Sequence, residues 1–96
     1  MKYCVYLSKN VEKQLKKIPL HIKGQLKGWI ETVQQFGLPY ARTLKSLHDE
    51  PLQGKRKGQR SIRLNKQWRV IYSEHPTTHE IEIHLLEVTP HDYRIH

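Results

Sequence analysis

Hydrophobic and polar positions change their spacing twice along this chain. Lys2–Leu7 alternates, with Tyr3, Val5 and Leu7 on one side and Lys2, Cys4 and Tyr6 on the other, which predicts a strand. The spacing then lengthens. Val11, Leu15 and Ile18 recur at helical intervals, with Ser8 or Asn10 available as an N-cap, Lys13, Lys16 and Lys17 turned outward, and Pro19 as a stop. A second helical pattern restarts at Leu20 and carries Ile22, Leu26, Trp29, Ile30, Val33 and Phe36. Gly37 suits its end, and Pro39 prevents continuation. The two segments read as a helical hairpin. A short helical turn around Ala41, Leu44 and Leu47 is expected before Asp49-Glu50-Pro51.

After Gly54 the period returns to two. Ile62 and Leu64, then Trp68, Val70 and Tyr72, read as two strands of a hairpin. Residues opposite each other on paired strands share a face. If these five residues all face the core, Leu64 opposes Trp68, and Asn65-Lys66-Gln67 form the loop. The same register sets Arg63 opposite Arg69 on the other face. A slip by one residue would bury the arginines and expose the tryptophan, so burial selects the register. His75-Pro76-Thr77-Thr78 is a turn, and His79–Val88 is a last strand. Leu86 and Val88 break its alternation, which predicts a bulge or a strand covered on both faces.

Strand, two helices, then strands predicts an α+β fold in one domain spanning 1–96: an antiparallel sheet with the helices on one face. A chain of 96 residues holds one modest core. Single Cys4 excludes an internal disulfide, and no apolar run approaches a membrane span. A cytoplasmic protein without a membrane partner is expected.

Charge sharpens the picture. Lys and Arg number 17 against 9 Asp and Glu, a formal net charge of +8 that favours polyanionic partners. The excess is concentrated in Gly54–Ser73, which contains Lys55, Arg56, Lys57, Arg60, Arg63, Lys66 and Arg69 and no acidic residue. Two arginines opposed across a hairpin repel unless an anion bridges them or carboxylates such as Glu74, Glu80, Glu82 or Glu87 satisfy them. The seven histidines show no zinc-type spacing, and no glycine-rich phosphate loop is present, so neither a metal nor another cofactor is expected. RNA cleavage through the substrate's own 2′-hydroxyl needs no metal. It needs cations to hold the phosphate and a group to move protons, for which histidine, a carboxylate, tyrosine or lysine serve. Arg63, Arg69, Lys55, His91, Asp92 and Tyr93 supply such groups.

The segment Ser61-Ile62-Arg63-Leu64-Asn65-Lys66-Gln67-Trp68-Arg69, within the basic run from Gly54 to Tyr72, resembles toxins of the RelE/ParE superfamily, specifically their HigB-like killer branch. The terminal Asp92-Tyr93 pair is similar to that branch's ending. The resemblance implies a microbial-RNase-like fold and a type II toxin that enters the ribosomal A site and cleaves mRNA, leaving a 2′,3′-cyclic phosphate. By position it implies Arg69 and Arg63 at the phosphate, Tyr93 in stacking or proton transfer with Asp92 or His91, and Lys55, Arg56, Lys57 and Arg60 as RNA grips. It also implies a neutralising antitoxin, commonly a helix-turn-helix DNA-binding protein. Two positions depart from the branch: Arg94 stands where it has His, and Lys55 where it often has His. The superfamily's ParE branch, which poisons DNA gyrase without catalysis, and a plain RNA-binding module are the alternative expectations.

Overall fold

The structure, a computed structural model, describes residues 1–90. His91, Asp92 and Tyr93 lie outside the described residues. Strand β1 (Lys2–Leu7) leads into α1 (Lys9–Leu15), α2 (Leu20–Phe36) and the single-turn α3 (Leu38–Ala41). Strands β2 (Glu50–Pro51), β3 (Arg60–Arg63), β4 (Trp68–Pro76) and β5 (Glu80–Pro90) follow, with 3-10 turns at Lys45–Leu47 and Gly54–Arg56. The five strands form one sheet in the order β1-β5-β4-β3-β2.

The helix boundaries follow local chemistry. The Ser8 side chain accepts a hydrogen bond from the Val11 N–H at 3.1 Å and starts α1. Ile18 lies past the end of α1 yet is buried in the core. Gly37 ends α2 at φ +90°, a conformation open chiefly to glycine. Pro39 does not merely end that helix. It sits in the first turn of α3, where its missing N–H costs nothing. The two longer helices do not form a hairpin closed chiefly on itself. α1 lies on β5 and β1, and α2 on β1 and α3.

The sheet is mixed, not wholly antiparallel. β1 runs parallel to β5, with Tyr3 beside Ile81 and Val5 beside Ile83. No tight turn joins those strands, because the whole helical layer and three strands intervene, so nothing forces an antiparallel pair. The β3–β4 hairpin has the register its apolar residues demand: Ile62 opposite Val70 and Arg63 opposite Arg69. Asn65 closes its loop by accepting from the Gln67 and Trp68 N–H groups at 2.7 and 2.8 Å. The β4–β5 register shifts beside Tyr72, which pairs with Leu85 while Ile71 pairs with Glu87. Leu86 is the extra residue of that bulge.

The core lies between the sheet and the helices. Val11, Ile22, Val33, Ile62, Val70, Ile83 and Leu85 are fully buried there. Each such side chain contributes about 1.5–3 kcal/mol relative to exposure. The hairpin's inward residues thus clamp it to the helices and leave its outward residues free for other work.

Candidate nucleic-acid interface

Two basic positions separate as soon as strand alternation is applied. Arg63 and Arg69 project from the sheet face opposite the helices. Direct opposition holds their Cβ atoms ~5 Å apart. Among the described residues, no ion pair joins either guanidinium to a carboxylate; the basic–acidic pairs present involve Arg42, Arg56, Arg60 and His84. The Nε of Arg69 is buried and lacks a hydrogen-bond partner among those residues. Two half-buried cations held side by side, with no carboxylate paired to them among the described residues, suit an anion with several oxygens, since a guanidinium matches phosphate oxygens bidentately.

Arg60 goes the other way. Its place opposite Tyr72 puts it on the core face, where its Nε lies 2.6 Å from the Asp49 carboxylate. The Tyr72 hydroxyl donates to the other oxygen of Asp49 at 2.5 Å, and Arg42 pairs with Glu74 at 3.0 Å beside them. The Asp49 side chain is only 2% exposed. This network ties the segment before β2 to the sheet, with Arg60 as one of its anchors. Burial, and next its bond to Asp49, pushes the Tyr72 phenol well above its ordinary pKa, with Arg42 opposing.

The remaining expected grip residues lie on an exposed 3-10 turn and just past it. Lys55 and Lys57 are exposed. Arg56 is exposed too, but it pairs with Glu87 across the open face and donates to Gln59 at 2.9 Å. That pair ties the turn to β5 and leaves Lys55 and Lys57 as its exposed charges.

A cavity of about 410 Å³ opens beside Arg63. His48, Ser46, Asn65 and Lys66 are among its other walls. His48 has φ +46° and ψ +50°, a left-handed conformation uncommon outside glycine. Its N–H closes the 3-10 turn on the Lys45 carbonyl at 3.2 Å, and Asp49, with its carboxylate in the network above, follows it. Sequence reasoning did not single out His48, because no spacing marks a histidine set by a left-handed turn. The signal available was the pair His48-Asp49 itself, a titratable group next to an acid just ahead of a proline.

The far end of the open face has opposite chemistry. Tyr6 donates to Glu80 at 2.7 Å, which pushes its phenol up to about 12, and Glu82 contacts His84 at 2.8 Å. The carboxylates give that end a charge opposite to that of the basic hairpin. Among the described residues no group of three or more His, Cys, Asp or Glu is placed to hold a metal ion, and no helix is long and apolar enough to cross a membrane.

No protein-family model matches the chain, and no curated protein matches it. Solved structures do. YafQ from E. coli strain BL21(DE3) is 18% identical, with 99% of this chain and 100% of that chain covered and a TM-score of 0.70. A chain of the RelBE2 toxin–antitoxin complex from Mycobacterium tuberculosis is 17% identical, covering 95% and 100%, with a TM-score of 0.67. A chain of the E. coli DinJ–YafQ toxin–antitoxin complex is 21% identical, covering 95% and 94%, with a TM-score of 0.65. At these identities the likeness speaks to architecture alone, and the architecture is the RelE-like α+β fold: a five-stranded sheet with helices packed on it.

Proposed function

We propose that this chain is the toxin of a type II toxin–antitoxin pair and acts as a metal-independent, ribosome-dependent mRNA endoribonuclease. The observation that carries the reading is the opposed Arg63–Arg69 pair, without a carboxylate partner among the described residues, on the open face of a RelE-like sheet. In this reading the two guanidinium groups hold the scissile phosphate and absorb its extra negative charge. The substrate 2′-oxygen attacks phosphorus, the bond to the 5′-oxygen breaks, and a 2′,3′-cyclic phosphate and a 5′-hydroxyl result. One group must take the 2′ proton and another must protonate the departing oxygen. His48 stands beside Arg63 and can serve in one of those steps. Tyr93, Asp92 and His91 are the other candidates, on the strength of the resemblance. Lys55 and Lys57 grip the backbone and position it without specifying sequence.

The partners in this reading are mRNA in the ribosomal A site and a cognate antitoxin, in keeping with the complexes in which the similar chains occur. A helix-turn-helix antitoxin encoded beside this chain, acting with it in the cytoplasm, completes the proposal.

The test is purified protein added to a translating extract, with mRNA ends mapped. Cuts inside translated codons, absent without ribosomes, support the reading. Intact mRNA together with DNA breaks that require gyrase would replace it with the ParE-type poison.

A further inference from the structure

The acidic end of the open face carries a histidine pair that phosphate binding leaves unused. His75 on β4 opposes Glu82 on β5, and Ser73 opposes His84. His75 and His84 are therefore diagonal neighbours on one face, within reach of each other's rings. Their centroids lie 4.8 Å apart, edge to face. Spacing along the chain does not announce this pair, because a turn and parts of two strands separate its members. The separation suits a shared ion. An imidazole bound through nitrogen at about 2.0–2.1 Å has its centroid roughly 3.2 Å from the ion. Two such rings with centroids 4.8 Å apart subtend roughly 100° at that ion, between the square-planar and tetrahedral angles. Turning the rings about their Cβ–Cγ bonds then suffices, and the strands stay in place.

The hydrogen bonds favour the same arrangement. His84 Nε2 lies 2.8 Å from the Glu82 carboxylate. An ionised carboxylate only accepts, so the ring proton sits on Nε2 and Nδ1 keeps its lone pair. A carboxylate behind a histidine is the usual support of a metal ligand, fixing its tautomer and raising its basicity. His75 Nε2 lies 2.7 Å from the Ser73 hydroxyl, which can take its proton and leave Nδ1 as the ligand atom. Glu80, bonded to Tyr6 beside His84, adds a second negative charge on this face. We infer that His75 and His84 are the two protein ligands of a site for a divalent transition-metal ion, with water in its remaining positions. Imidazole suits Cu²⁺, Ni²⁺ and Zn²⁺, and Cu²⁺ binds tightest of the three. The ion has no part in the cleavage proposed above, which uses neither histidine. Its charge offsets Glu80 and Glu82 and evens the potential along the open face.

Isothermal titration calorimetry with CuCl₂, NiCl₂ and ZnCl₂ tests the site. The Cys4→Ser protein is used throughout, because it lacks the chain's one thiol and so neither holds copper through sulfur nor reduces it. A one-to-one phase is expected, with Cu²⁺ tighter than Ni²⁺ or Zn²⁺. His75→Ala and His84→Ala, their folds checked by far-UV circular dichroism, should each weaken Cu²⁺ binding by more than about ten-fold. Glu82→Gln, which keeps the side chain's shape and removes its charge, should weaken it by about ten-fold, the lower end of what a supporting carboxylate contributes. His79→Ala should leave it unchanged. Electron paramagnetic resonance of the Cu²⁺-loaded protein should show coupling to two nitrogens, falling to one in either histidine variant. No binding by the folded Cys4→Ser protein overturns the inference, as does binding that survives His75→Ala and His84→Ala undiminished. A loss in His79→Ala equal to that in His84→Ala overturns it too, since the ion would then sit at the turn.

Discussion

Arg63 and Arg69 occupy directly opposite positions on β3 and β4, and among the described residues neither guanidinium meets a carboxylate. Like charges opposed on one sheet face destabilise each other, so an anion between them should stabilise the fold. Inorganic phosphate is expected to raise the melting temperature of the native protein more than that of Arg69→Ala, as differential scanning calorimetry would show. In the translating extract, Arg69→Ala is expected to lower the cleavage rate by about 10²–10³-fold, the usual cost of losing one group that stabilises transition-state charge. Full cleavage by that variant would remove Arg69 from the site.

Asp49 governs stability where the arginine pair does not. Replacing it by alanine takes the carboxylate from Arg60 on the core face and the acceptor from Tyr72, while Arg42 keeps Glu74. Breaking a buried pair costs about 3–5 kcal/mol. The Arg60 and Arg42 side chains retain 28% and 32% exposure, so a loss at or below the lower end of that range is expected. Urea denaturation would measure it. An Asp49→Ala protein as stable as the native one would show that the network is ornamental.

Tyr72 gives that network a pH dependence with a definite sign. Its folded-state pKa is raised, so its contribution is whole below the unfolded tyrosine value near 10 and is lost as pH rises through the interval above it. Tyr6 titrates in the same sense. The stability of the native protein should therefore fall between about pH 10 and 12. Tyr72→Phe should lower stability at pH 7 by about 1–3 kcal/mol through the lost bond to buried Asp49, and should flatten the alkaline fall. Urea midpoints at pH 7 and pH 10.5 for both proteins check both statements.

Gly24 and Gly28 lie inside α2, and a Cβ added at either would meet no atom within 4 Å. Alanine at each is expected to stabilise by about 0.5–1 kcal/mol, because glycine loses more backbone freedom on folding. At Gly37 the sign reverses. Its φ of +90° and the Tyr3 ring 3.1 Å from an added Cβ make Gly37→Ala destabilising, by about 1–3 kcal/mol from backbone strain alone. Thermal melts of the three variants test the contrast.

Much of this fold is legible along the chain because burial fixes alternation. Ile62, Leu64, Trp68, Val70 and Tyr72 leave a single register, and from it the Arg63–Arg69 opposition follows. The same alternation carries Arg60 to the core face, two residues before Ile62, but counting charge along the run obscured this. Its partner Asp49 is set by a fold back that no local pattern announces. Strand β2 is two residues long, too short to show a period. The parallel pairing of β1 with β5 joins the two ends of the described chain, and no turn chemistry encodes it. His48 was silent for a related reason: no local pattern announces the left-handed turn that sets it beside Arg63.

The sheet order has a consequence for synthesis. β5, made last of the five strands, lies between β1 and β4 near the centre of the sheet, and it covers the helices with Ile83, Leu85 and Val88. Until those residues leave the ribosome, β1 has no neighbour and the hairpin has no inner wall. Closing so long a loop is also slow relative to local helix formation. The arginine pair therefore stands on a finished sheet only after β5, the last strand made, has slotted between β1 and β4.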